Sequence, residues 1–389
     1  MKVIGIIAEY NPFHNGHLYQ IKKIKELYKD SIIIVVLNGN FTQRGDVSII
    51  NKWVKTDIIL KNSIDLVIEL PIFYGINNAN IFAKGALEIL NDLKIDTLIF
   101  GSENDNIDDL IAASNIKINN KNYDLLVKKY LDSGNNYAYS SLNAIKHLTG
   151  ISINKPNNIL ALCYIEEIIR NNYNIEVVNI KRTNEYHSKN ITNISSASAI
   201  RTALKNNENI SVAVPDETLK NLNDIVYLDD YYDLIKYKIL SCDDLTIFHD
   251  VIEGIDKRLK KYIIISDSLD EFILKVKTKR FTYNRIKRIL LYILLDIKKN
   301  DIANVKNYIR PLGFNSNGIK YLNRIKGTLS LPLVSCYSKN KDLLSLEYKA
   351  NLIYSLKTNN VNNNIKNEFN KPIKKQWTTY FCSLLSSFG

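Results

Sequence analysis

Two histidines three residues apart, His14 and His17, bracket Gly16 directly after the apolar run that opens this chain, Val3-Ile4-Gly5-Ile6-Ile7-Ala8. That run reads as a buried strand, Pro12 as part of a turn, and Gly16 as the start of a helix. Free N–H groups and the dipole at a helix start favour an anion by about 0.3–1 kcal/mol at exposed sites. Gly16 lets a phosphate approach the backbone closely. The two imidazoles can donate hydrogen bonds to phosphate oxygens as charge builds during attack on phosphorus. Two surface histidines beside a loop are the alternative, and the position between first strand and first helix favours the phosphate site. A second polar group follows much later, Ile194-Ser195-Ser196-Ala197-Ser198-Ala199-Ile200-Arg201. There Ser196 and Ser198 can cap a helix and bind phosphate oxygens, while Arg201 offers a delocalised charge to an anion. An ordinary serine N-cap is the alternative.

Runs rich in Ile, Val and Leu at 3–8, 32–37, 66–70, 97–100 and 175–180 read as strands buried on both faces. Helical patterns lie between them at 16–28, 52–61, 78–93, 124–132 and 158–171. This alternation predicts an α/β fold, a doubly wound Rossmann-like parallel sheet over residues 1–210, with ligand beyond the carboxyl ends of its strands. Residues 211–389 read as a mostly helical second domain. In it, 328–336 is a short edge strand, a helix starts near Leu343, and 358–375 is an Asn- and Lys-rich mobile tail. The Asn-rich stretches 104–106 and 119–122 read as surface loops, and Trp53 and Trp377 as packing residues.

Positive charge is concentrated at one end. Residues 271–389 carry 22 basic and 6 acidic side chains, a net +16, whereas the whole chain carries +12. That asymmetry suggests a polyanion-binding end. The run 275–288 holds seven basic residues and no acid. Its Lys279, Arg280, Arg285 and Arg288 would meet RNA phosphates, and Phe281 and Tyr283 would stack on unpaired bases. A solvated helix face and core aromatics are the plainer reading. Bulk disorder is excluded by 46% hydrophobic residues. Cys163, Cys242, Cys336 and Cys382 stand apart without metal-ligand spacing, which predicts a reducing compartment, no protein-bound metal and no disulfide framework. No apolar run approaches a membrane span, so a cytoplasmic location is expected.

The opening motif resembles the HxGH nucleotidylyltransferase superfamily, and Ser196-Ala197-Ser198-Ala199-Ile200-Arg201 resembles its second motif. Further stretches occur in the order of one family: Asn38-Gly39-Asn40-Phe41-Thr42-Gln43-Arg44-Gly45, Asp65 to Pro71, Phe100-Gly101-Ser102-Glu103, Lys155-Pro156-Asn157-Asn158 and Arg310 to Gly318. Together they resemble the bacterial tRNA(Met) cytidine acetate ligases. The resemblance implies that acetate attacks the α-phosphate of ATP, and that the acetyl group then passes to the wobble cytidine of elongator tRNA(Met) as N4-acetylcytidine. It implies an ATP site made of Ile7, Ala8, Glu9, Tyr10, Asn11, Pro12, Phe13, His14, Asn15, Gly16, His17, Leu18, Tyr19 and Gln20. Gly101, Asn157 or Asn158, and Arg182 would join them, with Mg2+ accompanying the nucleotide. His187 is a further candidate. The segment 183–185 departs from the family pattern, and 52–57, with Lys55, matches it only in part. Arg44-Gly45-Asp46 reads as a turn facing phosphate or tRNA, or as a turn alone. A nucleotidylyltransferase for a small phosphorylated metabolite and a non-catalytic RNA-binding protein are the competing readings. The basic C-terminal third argues against the first, and the presence of His14, His17 and Arg201 against the second. No protein partner is expected.

Overall fold

The computed structural model describes residues 1–103, 106–181, 191–302, 305–335 and 337–375. Five Ile-, Val- and Leu-rich segments become parallel strands, β1 (Lys2–Ala8), β2 (Ser31–Asn38), β3 (Leu66–Leu70), β4 (Thr97–Ser102) and β5 (Glu176–Lys181). Between them run α1 (Asn15–Leu27), α2 (Lys52–Lys61), α3 (Ile72–Gly75), α4 (Ala79–Asp92), α5 (Ile107–Asn119), α6 (Lys121–Asp132), α7 (Tyr137–Thr149) and α8 (Pro156–Arg170). After β5 comes α9 (Ala197–Lys205).

Successive side chains of a strand point to opposite faces, and both faces here are covered. Val3, Ile32, Ile34, Val36, Leu66 and Ile68 pack with Phe82, Leu87 and Leu90 of α4 and Leu162 of α8. Ile4, Ile6, Ile33, Val35 and Val67 pack with Ile21 and Ile24 of α1 and Trp53, Ile58 and Ile59 of α2. Both sets being apolar is why the strands read as unbroken hydrophobic runs.

The sheet order is β5-β4-β1-β2-β3, continued beyond β3 by two C-terminal strands, β6 (Pro311–Asn315) and β7 (Ile373–Lys375). From β1 the chain moves outward through β2 and β3, then returns to lay β4 on the other side of β1. In an open α/β sheet the ligand crevice lies at such a reversal, here beyond the carboxyl ends of β1 and β4.

The chain then continues through α10 (Asp216–Leu219), α11 (Tyr232–Ser241), α12 (Ile255–Ile263), α13 (Leu269–Val276), α14 (Tyr283–Leu294) and α15 (Lys299–Ile302). It ends with β6 (Pro311–Asn315), α16 (Ser316–Ile325), α17 (Lys341–Ser355), α18 (Val361–Asn367) and β7 (Ile373–Lys375). Helices α11 to α14 enclose their own core, including Ile235, Ile239, Leu259, Phe272, Ile286 and Ile289.

Several expectations are corrected here. Strand β6 pairs antiparallel with β3 and parallel with β7. Residues beyond 310 therefore complete the N-terminal sheet. The expected strand at 328–336 reduces to a bridge between Leu333 and Ile309. The Asn-rich stretch 119–122 is no loop, because Asn120 closes α5 and caps α6 by accepting from Asn122 N. The tail forms α18 and β7, and its Glu368 is fully buried. There Lys52 Nζ lies 2.6 Å from Glu69 and 2.6 Å from Glu368, while Arg310 reaches the same two carboxylates at 2.8 and 2.9 Å. Two cations balance two anions, so Asn/Lys composition concealed one buried acid that ties the tail down.

The turn expected at Arg44-Gly45-Asp46 joins the two cores. Gly45 has φ +81°, and a Cβ on it would lie 2.6 Å from the backbone N of Arg288 on α14. Lys287 pairs with Asp46 beside it. Replacing Gly45 with valine forces a branched residue into left-handed backbone and against α14. The expected loss is about 2–4 kcal/mol, read as a lower midpoint in urea unfolding. An unchanged midpoint would mean that this loop does not brace α14.

Candidate active site

Helix α1 starts in a capping arrangement made from the two histidines. His14 Nδ1 accepts from Gly16 N at 3.1 Å, and His17 Nδ1 accepts from His14 N at 3.2 Å. In neutral imidazoles this leaves the ring proton on Nε2 of both. The rings stack with centroids 3.7 Å apart, and His17 also meets the edge of Tyr10 at 4.6 Å. Two N–H donors of fixed tautomer are thus held beside each other at a helix start. Gly16 is needed here for a reason not apparent in the sequence: a Cβ would come within 2.9 Å of the His14 ring.

Arg201 of α9 reaches this turn, its guanidinium donating to Asn11 O at 2.7 Å. Asn15 fastens the same junction, donating to Asn193 O, Asn193 Oδ1 and Val212 O at 2.9–3.0 Å. Ser196 caps α9 by accepting from Ala199 N, whereas Ser198, two residues further on, is exposed. The first and second motifs, far apart in sequence, therefore meet through backbone contacts on one side of the crevice.

The other wall is the end of β4. Gly101 pairs with Ile180 in the register of β4 and β5. Beyond it, Asn158 Oδ1 accepts from Glu103 N at 3.0 Å, and Asn157 Nδ2 donates to Glu103 Oε1 at 2.6 Å. Asn157 is not the N-cap of α8, since that place belongs to Lys155. Glu103 Oε2 is buried with no hydrogen-bond partner among the described residues. Sequence reading passed over Glu103 as a site residue. Its only signal was the Phe100-Gly101-Ser102-Glu103 stretch.

Beneath the loop, Lys55 is fully buried and donates to the carbonyls of Glu9, Asn38 and Gly39 at 2.8–2.9 Å. It clamps the end of β1 to the end of β2. Burial pulls its ammonium down to about 7, against the opposing pull of Glu9 and Glu69. Glu9 accepts from Gln43 N at 2.7 Å, and Asn11 is buried, accepting from Ile49 N at 2.8 Å. Tyr10 and Phe13 are core residues, and Leu18, Tyr19 and Gln20 are half-buried along α1.

A model of the HIGH nucleotidyl transferase family matches residues 1–369. The tRNA(Met) cytidine acetate ligase of Caldicellulosiruptor saccharolyticus is 39% identical over 95% of this chain and 97% of its own length. The ligase of the same name from Clostridium acetobutylicum is 37% identical over 93% and 97%. This chain belongs to the tRNA(Met) cytidine acetate ligase family. The solved structure of Thermotoga maritima TmcAL without ligand superposes with a TM-score of 0.90 at 28% identity, covering 97% of this chain and all of the other. A second crystal form, bound with alpha-thio ATP, gives 0.87 with the same coverage.

The basic run is corrected in most of its expected contacts. Phe281 is 4% exposed, with the Arg285 guanidinium 4.3 Å over its ring, so it has no face to offer a base. Arg285 is held by Asp250 through two hydrogen bonds of 2.7 and 2.9 Å. Tyr283 donates to Asp270, and Arg288 is largely enclosed, with its guanidinium 3.4 Å from Gln43 O. These groups assemble the helical core and dock it. Lys279 and Arg280 remain exposed. Arg182, His187, Cys336, Trp377 and Cys382 lie outside the described residues, and Trp53 is buried as expected. Among the described residues no helix is long and apolar enough to cross a membrane.

Proposed function

We propose that this protein activates acetate with ATP and transfers the acetyl group to the N4 amine of the wobble cytidine of elongator tRNA(Met). The observation that carries this reading is the joining of the stacked His14–His17 pair to Arg201 at the β1/β4 crevice, in a chain of this family. ATP would lie with its phosphates at the start of α1 and its adenosine towards Gly101, Asn157 and Asn158. The unpartnered oxygen of Glu103 fits a ribose hydroxyl as donor. Arg182 is retained as a nucleotide contact on the family resemblance alone.

In the first step a carboxylate oxygen of acetate bonds to the α-phosphorus and the bond to the β-phosphate oxygen breaks. Acetyl-adenylate and pyrophosphate result. The Nε2–H groups of His14 and His17 donate to oxygens that gain charge, and Arg201 steadies the turn and the departing pyrophosphate. In the second step the cytidine amine attacks the acetyl carbon, AMP leaves and the amine loses its proton. Holding the amine beside the anhydride supplies much of that rate.

Magnesium is expected with the triphosphate. Among the described residues no three His, Cys, Asp or Glu side chains converge as a metal cage. The donor set therefore fits an ion held mainly by phosphate oxygens and water, which Mg2+ prefers, and the ion supplies charge neutralisation when bound. A cytoplasmic location follows from the proposed tRNA substrate.

The test is incubation of the protein with labelled acetate, ATP and total tRNA, followed by nucleoside mass spectrometry. Label is expected in N4-acetylcytidine. Label confined to a small phosphorylated metabolite, or absent from RNA, would overturn the reading.

A further inference from the structure

The sequence placed RNA-stacking aromatics at Phe281 and Tyr283, and the fold buries Phe281 and ties the Tyr283 hydroxyl to Asp270. It also brings two other aromatics to the same basic loop. We propose that the start of α7 and the loop 277–280 form one surface for unpaired nucleotides of the tRNA, with Tyr139 and Tyr137 as stacking groups and Lys277, Lys279 and Arg280 as phosphate partners. This rests on the ligase reading above and extends it to where the RNA is held.

Three observations converge. Asn136 Nδ2 donates to Lys279 O at 3.2 Å, which joins the turn before α7 to the basic loop. Asn136 is also the N-cap of α7, accepting from Tyr139 N at 3.0 Å. Tyr137 and Tyr139 therefore stand within the first turn beyond that contact. Both are large amphipathic side chains left open, Tyr137 at 52% and Tyr139 at 50% exposure. Tyr130 meets Tyr139 edge-on, with centroids 6.5 Å apart and planes at 89°. One edge is thus braced, which lowers the side-chain entropy lost on stacking.

The charge suits a polyanion. Lys277, Lys279 and Arg280 are exposed on the loop, and Lys128 and Lys129 are exposed towards the end of α6. Arg280 pairs with Glu253 at 3.5 Å in a solvated position, a pairing of little strength that RNA phosphate can displace. Basic side chains beside exposed aromatic faces are the combination that holds single-stranded nucleotides: cations follow the backbone, and rings take bases without regard to sequence.

The test uses the full-length protein and tRNA(Met), with two readouts: equilibrium tRNA binding, and pyrophosphate release with acetate and ATP alone. Tyr139→Ala is expected to weaken tRNA binding about 5–100-fold, Tyr139→Phe to keep it, and both to leave pyrophosphate release unchanged. Lys279→Ala with Arg280→Ala is expected to weaken binding and to lower the slope of log affinity against log salt by about 0.7–0.9 per contact. Wild-type affinity and salt slope in all of these variants, with tRNA still acetylated, would overturn this surface and leave the ligase reading standing. Failure of the unaltered protein to bind or acetylate any tRNA would instead overturn the ligase reading, and this surface with it.

Discussion

His17→Ala is expected to lower acetate-dependent pyrophosphate release by about 10²–10³-fold, the usual effect of removing one donor aimed at developing charge. His17 Nδ1 accepts from His14 N at 3.2 Å, so in the neutral ring the proton that can be donated to a phosphate oxygen sits on Nε2. The loss should fall mainly on kcat, with a smaller change in KM for ATP, because the donor acts most strongly as charge moves onto the phosphates. His14 stacks on this ring at 3.7 Å, so the two substitutions should not be additive. Pyrophosphate release at the wild-type rate in His17→Ala would remove the imidazole pair from the chemistry.

Arg310→Met should produce the largest loss of stability, about 3–5 kcal/mol. Arg310 is 4% exposed and lies between Glu69 and Glu368, with Lys52 as the second cation. Methionine fills much of the same volume, so the cost comes from two buried carboxylates left with one ammonium. Burial pushes Glu69 up, but Lys52 and Arg310 outweigh it and hold the carboxyl below its ordinary range. A carboxylate lowered on folding stabilises the protein above its unfolded value and loses that contribution as pH falls through its folded value. The wild type should therefore lose stability in acid below the ordinary glutamate range, and Arg310→Met should show a shallower decline there. Urea midpoints across that range measure both effects. Equal slopes for the two proteins would mean that the network does not hold Glu69 charged.

The first five strands were legible because each is buried on both faces, and burial of that kind writes an unbroken apolar run. The His14–Gly16–His17 group was legible because strand end, turn and helix start are local. The position of α2 was read correctly at 52–61, yet Lys55 remained uncertain in sequence. A buried ammonium with three carbonyl acceptors looks like any other lysine until those carbonyls converge. Glu103 was overlooked for the same reason, since both its asparagine partners lie more than fifty residues away. Strand β6 was missed because Pro311 and Gly313 interrupt a five-residue element whose place in the sheet depends on pairing with β3.

The basic run shows most clearly where sequence reading stops. Seven cations without an acid within 275–288 suggested a free polyanion surface, because their counter-charges were not nearby in the chain. Asp46, Asp250 and Asp270 arrive from other segments to engage Lys287, Arg285 and Tyr283. By itself the sequence determined the five parallel strands of the nucleotide fold, the paired imidazoles and the family, all carried by local periodicity and contiguous motifs. Only the tertiary structure decided which charges are spent on one another, which aromatics are buried, and which distant residues share a wall of the crevice. Ion pairing, burial and side-chain contact depend on distances in space, which spacing along the chain does not encode.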